Sequence, residues 1–268
     1  MDEIIKFNRQ TLSSVDRWIN RSDWEIPPSI FNYGLPHSIF HLIDSPLDEN
    51  LTEVDMICKY LGELPKINYL EIGVSVGKTF YQVIKYAEHF HVNVDKSFSC
   101  IDIEKINPTL EKLFDDVYPN KNVISSNIDE TNVNSIRLQK NNFETVWGDN
   151  QVKYYEADEF DKNIWKTMNT QYNFIFSDAF HAPHALINEY TNIKNNNLLD
   201  PEGFIYCFDD LDSYREGPMW NAVSQISNDI QSQYPQFDVT VEHLVINGWI
   251  GQHESKHNFG VIKCFPRK

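Results

Sequence analysis

Tyr69-Leu70-Glu71-Ile72-Gly73-Val74-Ser75-Val76-Gly77-Lys78-Thr79 is the stretch that decides the fold. Its first half is an apolar run that suits a buried strand, and Gly73 and Gly77 lead from it into a helical pattern near 78–90. A strand, a glycine turn and a helix in that order form a ligand loop of α/β sheets. Glycine lets the chain turn sharply and lets a ligand come close, and the first amides of the helix face outward. Spacing excludes two common loops. A phosphate loop needs GxxxxGK[ST], and Gly73-Val-Ser-Val-Gly77-Lys78-Thr79 is one residue short. The dinucleotide pattern GxGxxG fails because Ser75 stands at the second glycine and the third is missing.

Outward from this loop, short apolar runs alternate with helical segments. Strands are expected at 67–72, 98–103, 152–156, 174–177, 204–208, 237–241 and 259–265, with helices near 78–90, 108–117, 159–169 and 184–196. Such alternation implies a parallel sheet covered on both faces, with right-handed crossovers. The last two strands, separated by the apolar stretch 244–250 and the polar turn 251–257, suit an antiparallel edge hairpin. The expected fold class is therefore α/β, a Rossmann-like seven-stranded and mostly parallel sheet with that hairpin. Residues 1–65 precede it as an N-terminal helical extension, a cap or lid, and 66–268 form the main domain. Ile4, Ile5, Leu12 and Val15 have helical spacing, and a second helix is expected over 48–61. The Asn-rich piece 119–150 has weak periodicity and reads as an insertion.

Composition narrows the partners. Against 23 basic side chains stand 39 acidic ones, for a net charge of -16. Nucleic acid and acidic membrane surfaces are disfavoured, because both need a basic face. No apolar run approaches the ~18 residues of a membrane span. The start, Met1-Asp2-Glu3-Ile4, lacks the basic region of a secretory signal. Cys58, Cys100, Cys207 and Cys264 are widely spaced, without CxxC, and suit reduced thiols. The expected location is the cytoplasm.

The pattern ExGxxxGxT, carried by Glu71, Gly73, Gly77 and Thr79, resembles motif I of class I S-adenosylmethionine-dependent methyltransferases. The resemblance implies that Gly73, Ser75 and Gly77 cradle the methionine part of the cofactor, with Glu71 close to it. A carboxylate at the end of the next strand can accept both ribose hydroxyls; Asp102 is the choice and Glu104 the alternate. Asp158 ends the third strand where the family contacts adenine, although capping the next helix is the simpler use of it.

Two more strands release acids at the same edge: Asp178, followed by His181 and His184, and then the pair Asp209-Asp210. Three converging carboxylates repel unless protonated or neutralised by a cation, and an oxygen set of this kind suits Mg²⁺. The plainer alternative has Asp210 capping a helix and Asp209 facing solvent. Asp178-x-x-His181, Leu198-Leu-Asp-Pro-Glu-Gly203, Asp209-Asp210 and Gly217-Pro-Met-Trp-Asn-Ala-Val223 resemble the macrocin O-methyltransferase group, over roughly 67–225. That resemblance implies a divalent metal on Asp178, Asp209 and Asp210 that orients and acidifies a substrate hydroxyl. Asp178 then counts as catalytic, cofactor-contacting and metal-holding alike. The group carries an acidic base two positions after its first ligand, where this chain has Phe180; His181 is the natural substitute. His184 suits the surface or the substrate pocket.

The implied activity is O-methylation of a small-molecule or natural-product acceptor. The alternatives are methylation of a peptide or protein side chain, marked by a long open groove, and a non-catalytic binding protein that keeps the fold. Trp24, Phe31, Tyr33 and Phe40 suit a lid over the acceptor; core packing or a homodimer contact would account for them equally.

Overall fold

The computed structural model describes residues 1–15, 51–128, 141–149, 151–212, 217–247 and 256–267. Its strands are β1 (Ile67–Ile72), β2 (Lys96–Asp102), β3 (Asn122–Asn127), β4 (Asn141–Trp147), β5 (Val152–Glu156), β6 (Phe174–Ser177), β7 (Phe204–Phe208), β8 (Phe237–Asn247) and β9 (Lys256–Pro266). The helices are α1 (Asp2–Ser13), α2 (Glu53–Leu61), α3 (Lys78–Phe90), α4 (Pro108–Val117), α5 (Lys162–Thr167), α6 (Pro183–Asn195) and α7 (Met219–Gln233).

All nine strands belong to one sheet in the order β3-β4-β5-β2-β1-β6-β7-β9-β8. The central run β5-β2-β1-β6-β7 is parallel, and β9 and β8 close one side as an antiparallel hairpin. The chain proceeds outward from β1 to β2 and β5, then returns to β6 on the other flank of β1. That reversal makes the carboxyl ends of β1 and β6 the topological switch point, the place where open α/β sheets take ligands. The expected α/β architecture and its edge hairpin are thus present.

The central strands are buried along nearly their whole length, as a sheet covered on both faces requires. Along β1, Tyr69 packs into one core with Phe80 of α3 and Phe98 of β2. Its neighbour Leu70 packs into the other with Leu186 of α6 and Ile226 of α7. Local chemistry sets the helix starts: Pro108 opens α4 behind Asn107, whose side chain accepts from Thr109 N–H at 2.8 Å.

Three expectations need adjustment. The piece 119–150 holds β3 and β4, an antiparallel ribbon added to the edge at β5, so the sheet has nine strands among the described residues and not seven. Its sequence gave no alternation because β3 is exposed along almost all of its length. The ribbon is anchored by Trp147, fully buried, whose indole N–H donates to Asp115 at 2.7 Å. The helix expected over 159–169 is shorter: α5 starts at Lys162 and Asp161, not Asp158, caps it by accepting from Asn163 N–H. α7 was not foreseen at all.

Within the N-terminal extension, α2 places Val54, Ile57 and Leu61 in the same core as β1. α1 is tied to α2 by Asn8, which donates to Asp55 at 2.9 Å, and to α3 by Gln82, which donates to the Asn8 carbonyl at 3.0 Å. Trp24, Phe31, Tyr33 and Phe40 lie outside the described residues, as do residues 248–255.

Gly77 sits at φ +84°, and a Cβ there would lie 2.4 Å from Leu110 Cδ2 of α4. Gly77→Ala should therefore cost about 1–3 kcal/mol. Because the obstacle is a side chain, a thermal double-mutant cycle with Leu110→Ala should show favourable coupling; strict additivity would exclude the close approach as the cause.

Candidate functional site

Register builds the site. Ile72 pairs with Ile101 and with Ser177, and Ser177 pairs with Phe208. The next residue on each strand is Asp102, Gly73, Asp178 and Asp209, so these four stand in one row at the carboxyl edge. The ladder continues through them: Gly73 N–H donates to Ile101 O at 2.9 Å, Asp178 N–H to Ile72 O at 2.7 Å, and Asp209 N–H to Ser177 O at 3.0 Å.

On the β2 flank, Asp102 closes the glycine loop. Its Oδ2 accepts from Val74 N–H at 2.6 Å and Ser75 N–H at 2.8 Å, and its Oδ1 accepts from Glu104 N–H at 2.8 Å. Burial and the nearby Glu104 raise its pKa, and these three donors oppose them. Ser75 adopts φ 51°, an uncommon conformation for a residue with a side chain, and its buried Oγ has no hydrogen-bond partner. No side chain caps α3, whose N-cap is Gly77. Glu71 is 1% exposed and accepts from Tyr69 Oη–H at 2.6 Å; burial raises it well above the usual carboxylate range. Asp158 lies apart at the end of β5, where its Oδ1 accepts from Phe160 N–H at 2.8 Å and holds a turn.

On the β6–β7 flank, two imidazoles bridge three carboxylates. His181 Nε2 lies 3.1 Å from Asp178 Oδ1, and its Nδ1 lies 3.1 Å from Asp210 Oδ2. His257 Nδ1 lies 2.6 Å from Asp210 Oδ1 and 3.6 Å from Asp209 Oδ2. Burial works against charge on His181, but its contacts with Asp178 and Asp210 outweigh it and push the imidazole up to about 11. Contacts with Asp209 and Asp210 push His257 up to about 11 as well. Burial would raise Asp210, yet the two imidazoles hold it well below the carboxylate range. Burial raises Asp178, with His181 opposing and repulsion from Asp209 adding. Asp210 takes φ 50°, a left-handed conformation that aspartate tolerates better than most residues.

The sequence reading missed two groups here. His257 enters because β9 runs antiparallel to β7 and so starts at the end where β7 stops; Leu211 N–H donates to Asn258 O at 2.9 Å. Glu53 enters from α2: it is 8% exposed, its Oε2 is unpartnered, and the charges of Asp209 and Asp178 act on it. Burial and Asp209 together raise it well above the usual range. Beside it, burial pushes Lys78 down to about 8, with Glu53 opposing.

Beneath the row lies Glu189, fully buried, which accepts from Ser177 Oγ–H at 2.6 Å and Tyr206 Oη–H at 3.3 Å. Burial pushes it up to about 7, those donors opposing, and burial likewise raises its neighbour Glu159. A carboxyl raised on folding contributes stability that is fully present below its unfolded pKa and is lost as pH rises through the folded one. The window runs from about 4.3 to about 7, worth on the order of 3 kcal/mol. Glu189→Gln should therefore flatten the fall of melting temperature between pH 5 and 7; parallel curves for the two proteins would contradict the assignment.

Nothing among family models matches the chain, and no curated protein matches it. Among solved structures, it is similar to an O-methyltransferase from Bacillus cereus in complex with SAH, at 12% identity over 90% of this chain and 94% of that one, TM-score 0.46. It is also similar to the SAH-bound methyltransferase PaMTH1 of Podospora anserina, at 13% identity over 88% and 90%, TM-score 0.44. The MycE methyltransferase of the mycinamycin biosynthetic pathway, in complex with Mg and SAH, is matched at 10% identity over 75% of this chain but 46% of that one, TM-score 0.45. At TM-scores of 0.44 to 0.46 these likenesses carry no weight of their own; the fold stands on the strand order.

Proposed function

We propose that the protein is an S-adenosylmethionine-dependent methyltransferase that methylates an oxygen of a small-molecule acceptor, assisted by a divalent ion. The observation that carries this reading is the row Asp102, Gly73, Asp178 and Asp209 at the switch point, beside a loop whose buried Ser75 Oγ is unpartnered. An orphaned polar atom in a glycine loop fits a polar ligand that the protein alone does not satisfy. On the metal side, the buried Asp209 Oδ1 is likewise without a partner, which fits a cation.

S-adenosylmethionine supplies an electrophilic methyl on a sulfonium, and an in-line displacement asks the protein mainly to align donor and acceptor and to remove a proton. A divalent ion, held by Asp209 and Asp210, would supply Lewis acidity. Asp102 fixes the loop through Val74 and Ser75, and its Oδ1 retains acceptor capacity for a ribose hydroxyl. Glu71 precedes the loop on β1, and Gly77 ends it at the start of α3. Asp209 and Asp210 would hold the ion, with Asp178 tied to them through His181. Both nitrogens of His181 face carboxylates, so the ring keeps its proton as arranged; service as the base requires that one contact be released. The family resemblance would turn Asp158, at the end of β5, toward the adenine.

The division into a cap (1–65) and a cofactor domain (66–268) belongs to the same proposal, supported by Glu53 of α2 facing the reaction side. No described helix is long and apolar enough to cross a membrane, and four free buried cysteines support a cytoplasmic setting. Incubation with methyl-labelled S-adenosylmethionine and a panel of hydroxylated small molecules tests the reading. Label in a small-molecule product is expected. Label confined to peptide substrates would favour the alternative acceptor, and no conversion of the cofactor with any substrate would contradict the activity.

A further inference from the structure

Among the described residues, Asp209, Asp210 and His257 each offer one ligand atom, all within 4.8 Å of one another. Asp178 is not in that set; it reaches Asp210 only through His181. One residue of the set keeps a buried oxygen that the protein itself leaves over. Asp209 is 6% exposed, and its buried Oδ1 has no hydrogen-bond partner. His257 Nδ1 is buried and lies 2.6 Å from Asp210 Oδ1 and 3.6 Å from Asp209 Oδ2, so both acids converge on it. A divalent ion at that point would take the place of the ring proton. The cluster is held by the backbone: Asp209 sits in the ladder beside Ser177, Asp210 takes its left-handed φ of 50°, and β9 is pinned by Leu211 N–H on Asn258 O.

The donor set decides the ion. Mg²⁺ is a hard cation that takes oxygen and water in a near-octahedral shell. Imidazole suits Zn²⁺, Fe²⁺, Ni²⁺ and their neighbours, which accept nitrogen and carboxylate together. We propose that His257 Nδ1 ligates the divalent ion together with Asp209 and Asp210, so that the site prefers a nitrogen-accepting ion such as Zn²⁺ or Co²⁺ to Mg²⁺. This rests on the reading of Asp209 and Asp210 as metal ligands and goes beyond it in the third ligand and in the identity of the metal. His257 lies 47 residues beyond Asp210 in sequence, outside the span over which the chain resembles a methyltransferase group.

Co²⁺ is the probe, because its visible absorption reports coordination by nitrogen and oxygen without any acceptor. The full-length protein, His257→Gln and the double variant Asp209→Asn with Asp210→Asn are titrated with Co²⁺ and, separately, with Mg²⁺. Circular dichroism and S-adenosylmethionine affinity serve as controls for folding. The wild type should bind Co²⁺ more tightly than Mg²⁺. His257→Gln should weaken Co²⁺ by about tenfold or more and change its spectrum, while Mg²⁺ affinity moves far less. If Co²⁺ affinity and spectrum survive in His257→Gln but are lost in the double variant, the carboxylate reading stands and the histidine ligand is wrong. If the wild type binds neither ion, both are wrong, whereas retained cofactor affinity in that case keeps the methyltransferase reading separate.

Discussion

Replacing Gly73 with valine should cost the protein much of its stability, and not its ligand alone. Gly73 adopts φ +85°, and a Cβ would lie 2.3 Å from the Asp178 carbonyl oxygen, 2.5 Å from its carbon and 2.6 Å from Ala179 Cα. All three are backbone atoms in the strand end beside β1, so no rotamer change relieves the clash. A β-branched residue in the left-handed region adds its own strain. The sum is on the order of 4 kcal/mol or more, a large share of the roughly 5–15 kcal/mol that holds a domain together. The melting midpoint should fall by more than about 10 °C. A variant that melts within a few degrees of wild type and has lost only its ligand would show that the β1–β6 approach has been misplaced. The motif suggested that glycine makes room for a ligand; in the structure, Gly73 first makes room for the neighbouring strand.

Changing Asp209 and Asp210 together to asparagine should abolish the response to divalent ions and lower methyl transfer by about a hundredfold or more. Cofactor affinity should stay close to wild type, because the loop is held from the other flank by Asp102. The variant also removes the acid partners that keep His257 charged and one of the two that keep His181 charged. In the ion-free protein both imidazoles should then titrate nearer their ordinary pKa of about 6.5, down from about 11. Proton NMR of the histidine ring resonances measures this directly. Unchanged histidine titration would mean that other groups set their charge, and full activity without the two acids would remove the metal from the account.

Much of the fold was legible because its strands are apolar runs cut off by glycine or by acids. β1, β5, β6 and β7 and helices α3 and α4 fall where periodicity placed them. β3 and β4 escaped because an exposed ribbon made of Asn122-Val-Ile-Ser-Ser-Asn127 and its partner has no buried face to impose alternation. At the site, the acids that end strands were visible, since a polar residue closing a buried run is a local signal. Glu53 and His257 were not, because nothing near them in sequence marks them. They become neighbours of Asp209 only once α2 has packed on β1 and β9 has paired with β7. Asp102 was visible as a residue, but its bonds to the loop amides depend on the β1–β2 register and on the turn at Ser75.

The central claim is that the glycine loop, closed by Asp102 and set at the switch point, holds S-adenosylmethionine. Calorimetric titration of the purified protein with that compound, repeated with Mg²⁺ and with EDTA, tests it most directly. The account predicts saturable one-site binding in the micromolar range under both conditions, with the heat altered when a divalent ion is present. Absence of binding in both would contradict the donor site and leave a non-catalytic protein that shares only the fold.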